Sequence, residues 1–315
     1  MSSSTAHPDR LDHAAEEDRA LKGARTYRNY LAAYRCYCAH AGYAKMTDVR
    51  QAHRTLLGTA RTHGRTAVTS ELKRHLFRGW LTLDAMKRLP LSQQPELASV
   101  AALWLPVQGY YACHGLGLAM LTALPYDVPT RLTHAKFLTI ISRQVVGPGL
   151  LLRPFKILCC GDCTSNTETY ENTTLGSVRA RRTSNLGEVG TTSEPEGLVL
   201  KCLRTTRVHE IEDRLRRERK HLKRKRLTAQ QKADVCQRLP PTSCIHFMYR
   251  MRINSNYDDA DIFLTGRREL QPVEHCGNVL WLTNAICLQL ANILRLRVGP
   301  QVYSELRREY ESLRG

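Results

Sequence analysis

Residues 97–126 (LASVAALWLPVQGYYACHGLGLAMLTALPY) contain no Asp, Glu, Lys or Arg, in a chain where 24% of residues are charged. A stretch of that length must leave water, either in a bilayer or in the middle of a protein core. Pro106, Gln108, Tyr110, Tyr111 and His114 interrupt it, and hydrocarbon would penalise their polar groups. A second uncharged run, 275–294 (HCGNVLWLTNAICLQLANIL), holds His275, Asn278, Asn284, Gln289 and Asn292. The mean hydropathy of the whole chain is −0.38. The two runs therefore read as the central helices of a mainly all-α core rather than as membrane spans.

The remaining sequence supplies helices to surround them. Leu21, Tyr27, Tyr30, Leu31, Tyr34 and Tyr37 recur near helical spacing and predict a long amphipathic helix over 10–43. Further helices are expected from Thr47 to about Ala60, from Ser70 to before Pro90, and over 96–124 with a kink or restart at Pro106. Pro129 suits the first turn of a helix over 129–144, which VVGPG at 145–149 ends. Residues 161–197 are rich in Thr, Ser, Gly and Asn, with strand-like pieces at 150–160 and 197–203. Helices then resume over 205–227, 228–239, 242–263, 273–294 and 299–313. No repeat of 20–50 residues is present.

Charge singles out one segment. The formal net charge is +18, from 47 Lys+Arg against 29 Asp+Glu, which points to an anionic partner. Twelve Lys/Arg and four acids fall between Lys201 and Arg226, a local net of +8. On a helix these residues cover most of the circumference, so the helix is expected to project from the bundle. Arg214, Arg216, Arg217, Arg219, Lys220, Lys223, Arg224, Lys225 and Arg226 are the candidate nucleic-acid contacts. No aromatic residue is interleaved, which argues against a stacking platform for single strands. The competing reading is a solvated helix that pairs with acidic groups, in the same chain or in an acidic partner protein.

Eleven Cys, an odd number, follow a polar first twenty residues without an apolar leader segment. Reduced thiols in a cytoplasmic protein are the expectation. Cys160 and Cys163 form a C-x2-C half site, but no second half repeats the spacing, so no metal or other cofactor is assigned. Phosphate-loop, dinucleotide and nucleophile-elbow motifs are absent from the sequence.

Tyr110-Tyr111-Ala112 followed by Ala119-Met120-Leu121 resembles the YYAxxHAxxALL helix of the HEPN-like superfamily. THAKFLTI, with Thr133, His134 and Phe137, resembles the T-H segment that follows it there. RINSNYDDADIF, from Arg252 to Phe263, resembles the R-x-x-x-(D/N)-Y segment of a later helix. The resemblance implies a HEPN-like bundle in two parts, 91–144 and 241–315, with an N-terminal helical extension over 1–90. Residues 145–240 would be a basic, partly irregular insertion. The family's His lies one position beyond His114. The resemblance also implies association with RNA in a bacterial toxin or defence system, as a metal-independent endoribonuclease or as a binding module. Its sites often form across a two-fold, so a homodimer is implied as well.

The ribonucleases of that superfamily carry R-x4-6-H. Five pairs here have that spacing: Arg35–His40, Arg204–His209, Arg214–His221, Arg216–His221 and Arg268–His275. With 36 Arg and 12 His, about four are expected by accident. The Arg252 segment is the better candidate. Arg252, Asn256 and Asp259 lie at i, i+4 and i+7 on one helical face, which could hold a phosphate or a base edge. A buried network that orders the bundle is the structural alternative. The candidate catalytic set is Arg252, Asn256, Tyr257, Asp259 and His134. The alternative to an RNA-associated protein is a non-enzymatic assembly subunit whose basic helix docks an acidic protein.

Overall fold

The computed structural model describes residues 8–58, 66–91, 93–124, 132–161, 163, 167–168, 170–172, 178–179, 193–218, 228–255 and 266–314. The fold is all-α. Helices α1 (Pro8–His40), α2 (Met46–Gly58), α3 (Ser70–Lys87), α4 (Pro95–Thr122) and α5 (His134–Ile141) come first. They are followed by α6 (Ser193–Glu218), α7 (Ala229–Arg238), α8 (Cys244–Ile253), α9 (Arg267–Leu270), α10 (Pro272–Val298) and α11 (Pro300–Ser312). Local chemistry sets several starts. The Thr69 hydroxyl accepts from the Leu72 amide at α3, and Thr133 accepts from Lys136 at α5. Thr228 and Gln231 form a reciprocal capping box at α7.

The two uncharged runs become α4 and α10, packed against each other at the centre of the fold. Helix α3 lies along α4, α8 also contacts α4, and α1 packs on α6, α9 and α10. Helix α10 is long and apolar enough to cross a membrane, but 61% of its most apolar window is buried within the fold. Two of its buried polar groups are used internally. Gln289 Oε1 accepts from the Leu152 amide at 2.7 Å, and Asn278 Oδ1 accepts from Arg35 at 3.3 Å. An aromatic file of Tyr34, Phe155 and Phe247 joins α1 and α8 within the same hydrophobic cluster.

The α3–α4 approach depends on glycine. A Cβ on Gly115 would stand 3.0 Å from the Cα and N of Gly79, and one on Gly79 would stand 2.9 Å from the Leu116 amide. The GLG of 115–117 is therefore a helix-packing device; Gly117 leaves room for the Phe137 ring, which a Cβ would meet at 2.8 Å. Pro106 does not restart α4, which runs unbroken through it. Burial on α3, α8 and α10 offsets the one backbone hydrogen bond that proline removes.

Other expectations change. Residues 197–203 are helical, because α6 begins at Ser193 and buries Leu198, Val199, Leu200, Cys202 and Leu203 in the main core. The basic helix therefore does not simply project. Its Thr206, Arg207, Ile211 and Leu215 are also buried. Short antiparallel strands β1 (Leu158–Cys159) and β3 (Tyr170–Glu171) pair, as do β2 (Thr167–Glu168) and β4 (Val178–Arg179). Helix α5 ends in a wide π turn over Ser142–Val146, closed by Gly147 donating to Ser142 O at 2.8 Å. The helix expected over 242–263 is α-helical to Ile253 and then widens into a π turn at Asn254 and Ser255; 256–265 lie outside the described residues.

Candidate functional site

Helices α4, α5 and α8 bring Tyr110, Tyr111, His114, His134, Tyr249 and Arg252 to one place. Tyr110 and His114 are one turn apart on α4. His134 opens α5, and Tyr249 and Arg252 are one turn apart on α8. The ring centroids of His134 lie 5.4 Å from Tyr110, 5.0 Å from His114, 5.6 Å from Tyr249 and 6.0 Å from Tyr111. Phe137 closes the inner side, 4.5 Å from the His114 ring.

Arg252 is held by π faces rather than by an acid. Its guanidinium carbon lies 5.2 Å from the Tyr111 centroid, 5.6 Å from Tyr249 and 5.8 Å from Tyr110. Its Nη2 donates to the Tyr111 hydroxyl at 3.1 Å. Among the described residues no carboxylate pairs with it, and its buried Nε has no hydrogen-bond partner. The site thus keeps a full positive charge, half-buried, that the described residues do not neutralise.

The imidazoles beside it are neutral at physiological pH. Burial pushes His114 down to about 3, with smaller lowering contributions from His134, His75, Arg78 and Arg252. Burial, and next the Arg252 charge, also lower His134. The Tyr110 hydroxyl and His134 Nδ1 are 2.8 Å apart, and either can donate. When Nδ1–H donates, Nε2 presents a free lone pair and can act as a base. Burial raises Tyr110, so it remains a phenol. His114 Nε2 is buried without a partner. The arrangement combines one cation, one accessible neutral base and three phenols: chemistry suited to an anion with a proton to give up.

Of the candidate catalytic residues, Arg252 and His134 meet in this cluster. Asn256, Tyr257 and Asp259 lie outside the described residues. Tyr249 and His114 were not singled out as site residues in sequence, although Tyr249 precedes Arg252 by one helical turn. The Arg-x4-6-His pairs fare differently. Arg35 turns to Asn278 while His40 lies against Cys36, 3.9 Å from its sulfur. Arg204 reaches Cys163 O at 3.5 Å. His221 and the Arg268 side chain are outside the described residues.

The basic run is partly compensated. Arg214 pairs with Glu218 at 2.6 Å, and Arg216 with Asp213 at 3.4 Å and Glu212 at 3.9 Å. Arg238 also engages Glu218, through two hydrogen bonds of 3.0 and 2.9 Å. Solvent screens exposed pairs of this kind, so these guanidinium groups remain available to an anion. Arg217 is exposed and makes no ion pair among the described residues. Arg219, Lys220, Lys223, Arg224, Lys225 and Arg226 lie outside them. None of the eleven Cys is in a disulfide. No cluster of three or more potential metal ligands occurs among the described residues.

No protein-family model, curated protein or solved structure matches this chain.

Proposed function

We propose that the chain is an RNA-associated protein of HEPN-like type, and that Arg252 and His134 hold and attack an RNA phosphate. The observation that supports this reading is a half-buried guanidinium, unpaired with any described carboxylate, beside a neutral imidazole and a phenol. Arg252, aided by the Tyr111 hydroxyl, would take the non-bridging oxygens of the scissile phosphate. His134 Nε2 would accept the proton of the neighbouring 2′-OH, whose oxygen then attacks phosphorus in line. The P–O5′ bond breaks as the P–O2′ bond forms, and the 5′ oxygen takes a proton from the imidazolium or from water. The products are a 2′,3′-cyclic phosphate and a 5′-OH. Because the guanidinium supplies the positive charge, this route is independent of metal. A toxin or defence role fits an enzyme of this kind. The basic end of α6 would add sequence-independent attraction for the RNA backbone.

The test is to incubate wild type, Arg252→Ala and His134→Ala with total RNA in EDTA. Cleavage by wild type, lost in both variants, is the expected result. Cleavage unchanged in both variants would refute the site. Salt-sensitive RNA binding without cleavage would leave a binding protein and remove the nuclease step. No RNA binding even at low salt would favour an assembly subunit that docks an acidic protein.

A further inference from the structure

A second basic site lies elsewhere, in a cavity of about 460 Å³ between α2, α3, α10 and α11. Four elements converge cations on it: Arg50 and Arg54 from α2, Lys87 from α3, Arg295 from α10 and Arg307 from α11. It shares no residue with the Arg252 cluster.

The charge balance of the cavity is one-sided. Among the described residues Asp84 is the only acid in its wall, and that carboxylate is already engaged by the Tyr310 hydroxyl at 2.9 Å and by Arg314 at 2.7 Å. Arg307 pairs with Glu311 at 2.8 Å and stacks 5.0 Å over the Trp80 ring. Arg50, Arg54, Lys87 and Arg295 make no ion pair among the described residues. Arg50 and Arg54 stand one helical turn apart, a like-charge spacing that costs stability unless an anion bridges it. Four such cations around one half-open pocket therefore favour a ligand carrying more than one negative charge.

The shape adds a second requirement. A cavity of this volume falls in the range used for small organic ligands and greatly exceeds a lone phosphate. One wall is apolar and aromatic, made by Leu83, Leu116 and Leu288 with the Tyr303 ring, while Asn284 contributes an amide. Among the described residues that amide has no hydrogen-bond partner.

We propose that this cavity binds a nucleoside polyphosphate, with the phosphates on Arg50, Arg54, Lys87 and Arg295 and the nucleoside against the Tyr303 and leucine wall. Arginine and lysine at several heights suit a phosphate chain, and the amide suits a base edge.

The test is calorimetric titration of the full-length protein with ATP, tripolyphosphate, adenosine and inorganic phosphate. The variants are Arg54→Glu and Arg295→Glu, each checked for retained helical content by circular dichroism. The proposal expects micromolar ATP binding, weaker tripolyphosphate binding, and little binding of adenosine or phosphate. Each variant should lose at least about tenfold in ATP affinity, as expected for one charge-assisted contact. Absence of ATP binding at millimolar concentration would overturn the proposal, as would unchanged affinity in both variants. Equal affinity for ATP and tripolyphosphate would overturn the nucleoside part. Loss of RNA binding in these variants without any ATP binding would assign the cavity to RNA instead, also overturning the proposal. Arg252→Ala should leave ATP binding unchanged, which keeps this test separate from that of the RNA site.

Discussion

Replacing Arg207 with Met should be among the most destabilising single changes in the chain. Arg207 is 2% exposed, the largest of the fully buried side chains. Its Nε donates to Gly161 O at 2.5 Å. Nη1 donates to Pro240 O at 2.8 Å and the Thr242 hydroxyl at 3.3 Å. Nη2 donates to Cys160 O and Cys236 O at 3.4 Å and to Cys236 Sγ at 2.9 Å. Glu210, one turn further on α6, accepts from the Thr242 hydroxyl and completes the network. Methionine preserves most of the apolar stem but removes every guanidinium donor, so the Pro240 carbonyl loses its hydrogen bond and the Cys160, Gly161 and Cys236 carbonyls keep only those from the Cys163 and Cys236 thiols and the Leu239 amide. Single hydrogen bonds to a charged group contribute about 1.5–3 kcal/mol. They do not add within one network, and breaking a buried ionic network costs about 3–5 kcal/mol. Urea unfolding followed by circular dichroism should show the midpoint lowered by that amount divided by the slope, with the slope unchanged. Hydrogen exchange should accelerate first in α6 and α7, whose Ile211, Leu215, Val235 and Cys236 form their own small cluster. A loss below about 1 kcal/mol would refute the view that Arg207 ties α6 to the rest of the fold.

The Gly79–Gly115 crossing makes Gly115→Ala a test of helix approach. The added methyl meets backbone on the opposite helix, so a loss of about 1–3 kcal/mol is expected in thermal unfolding; a neutral result would contradict the packing. Stability should also fall on acidification. Burial lowers His53 to about 4 and His246 and His275 to about 3, below the usual value of about 6.5. Their contribution is fully present above pH 6.5 and is lost as pH falls toward the folded values, at about 1.4 kcal/mol per pH unit for each histidine. Glu210, raised to about 7 by burial, opposes this with one group, its contribution present at low pH and lost as pH rises through 7. A melting temperature constant from pH 7 to pH 4.5 would contradict the net loss.

Much of the architecture was legible because two uncharged runs admit few alternatives. Helices α4 and α10 fall within a few residues of their expected limits, since Pro95, Pro272 and Gly299 mark their ends. The start of α6 was not legible. Leu198-Val199-Leu200 is a short apolar run that reads equally as a buried strand, and only tertiary burial makes it helix. Arg207 was hidden in plain composition, one Arg among twelve basic residues, because burial cannot be read from charge. Arg252 and His134 were both singled out from their local segments, but their meeting depends on α5 and α8 lying against the same stretch of α4. The same juxtaposition recruits Tyr249 and His114, which carry no motif signal of their own. The cavity at Arg50, Arg54, Lys87 and Arg295 is equally invisible in sequence, since its cations come from three helices far apart in the chain.

The most direct test of the Arg252 site is fluorescence anisotropy of labelled single-stranded RNA, titrated with wild type and with Arg252→Ala in low and moderate salt. The loss of a charge-assisted phosphate contact predicts at least about a tenfold weaker affinity for the variant. The salt dependence of its binding should be shallower by about one phosphate contact, at unchanged helical content. Equal affinity and equal salt dependence for the two proteins would contradict the assignment of Arg252 as the phosphate anchor.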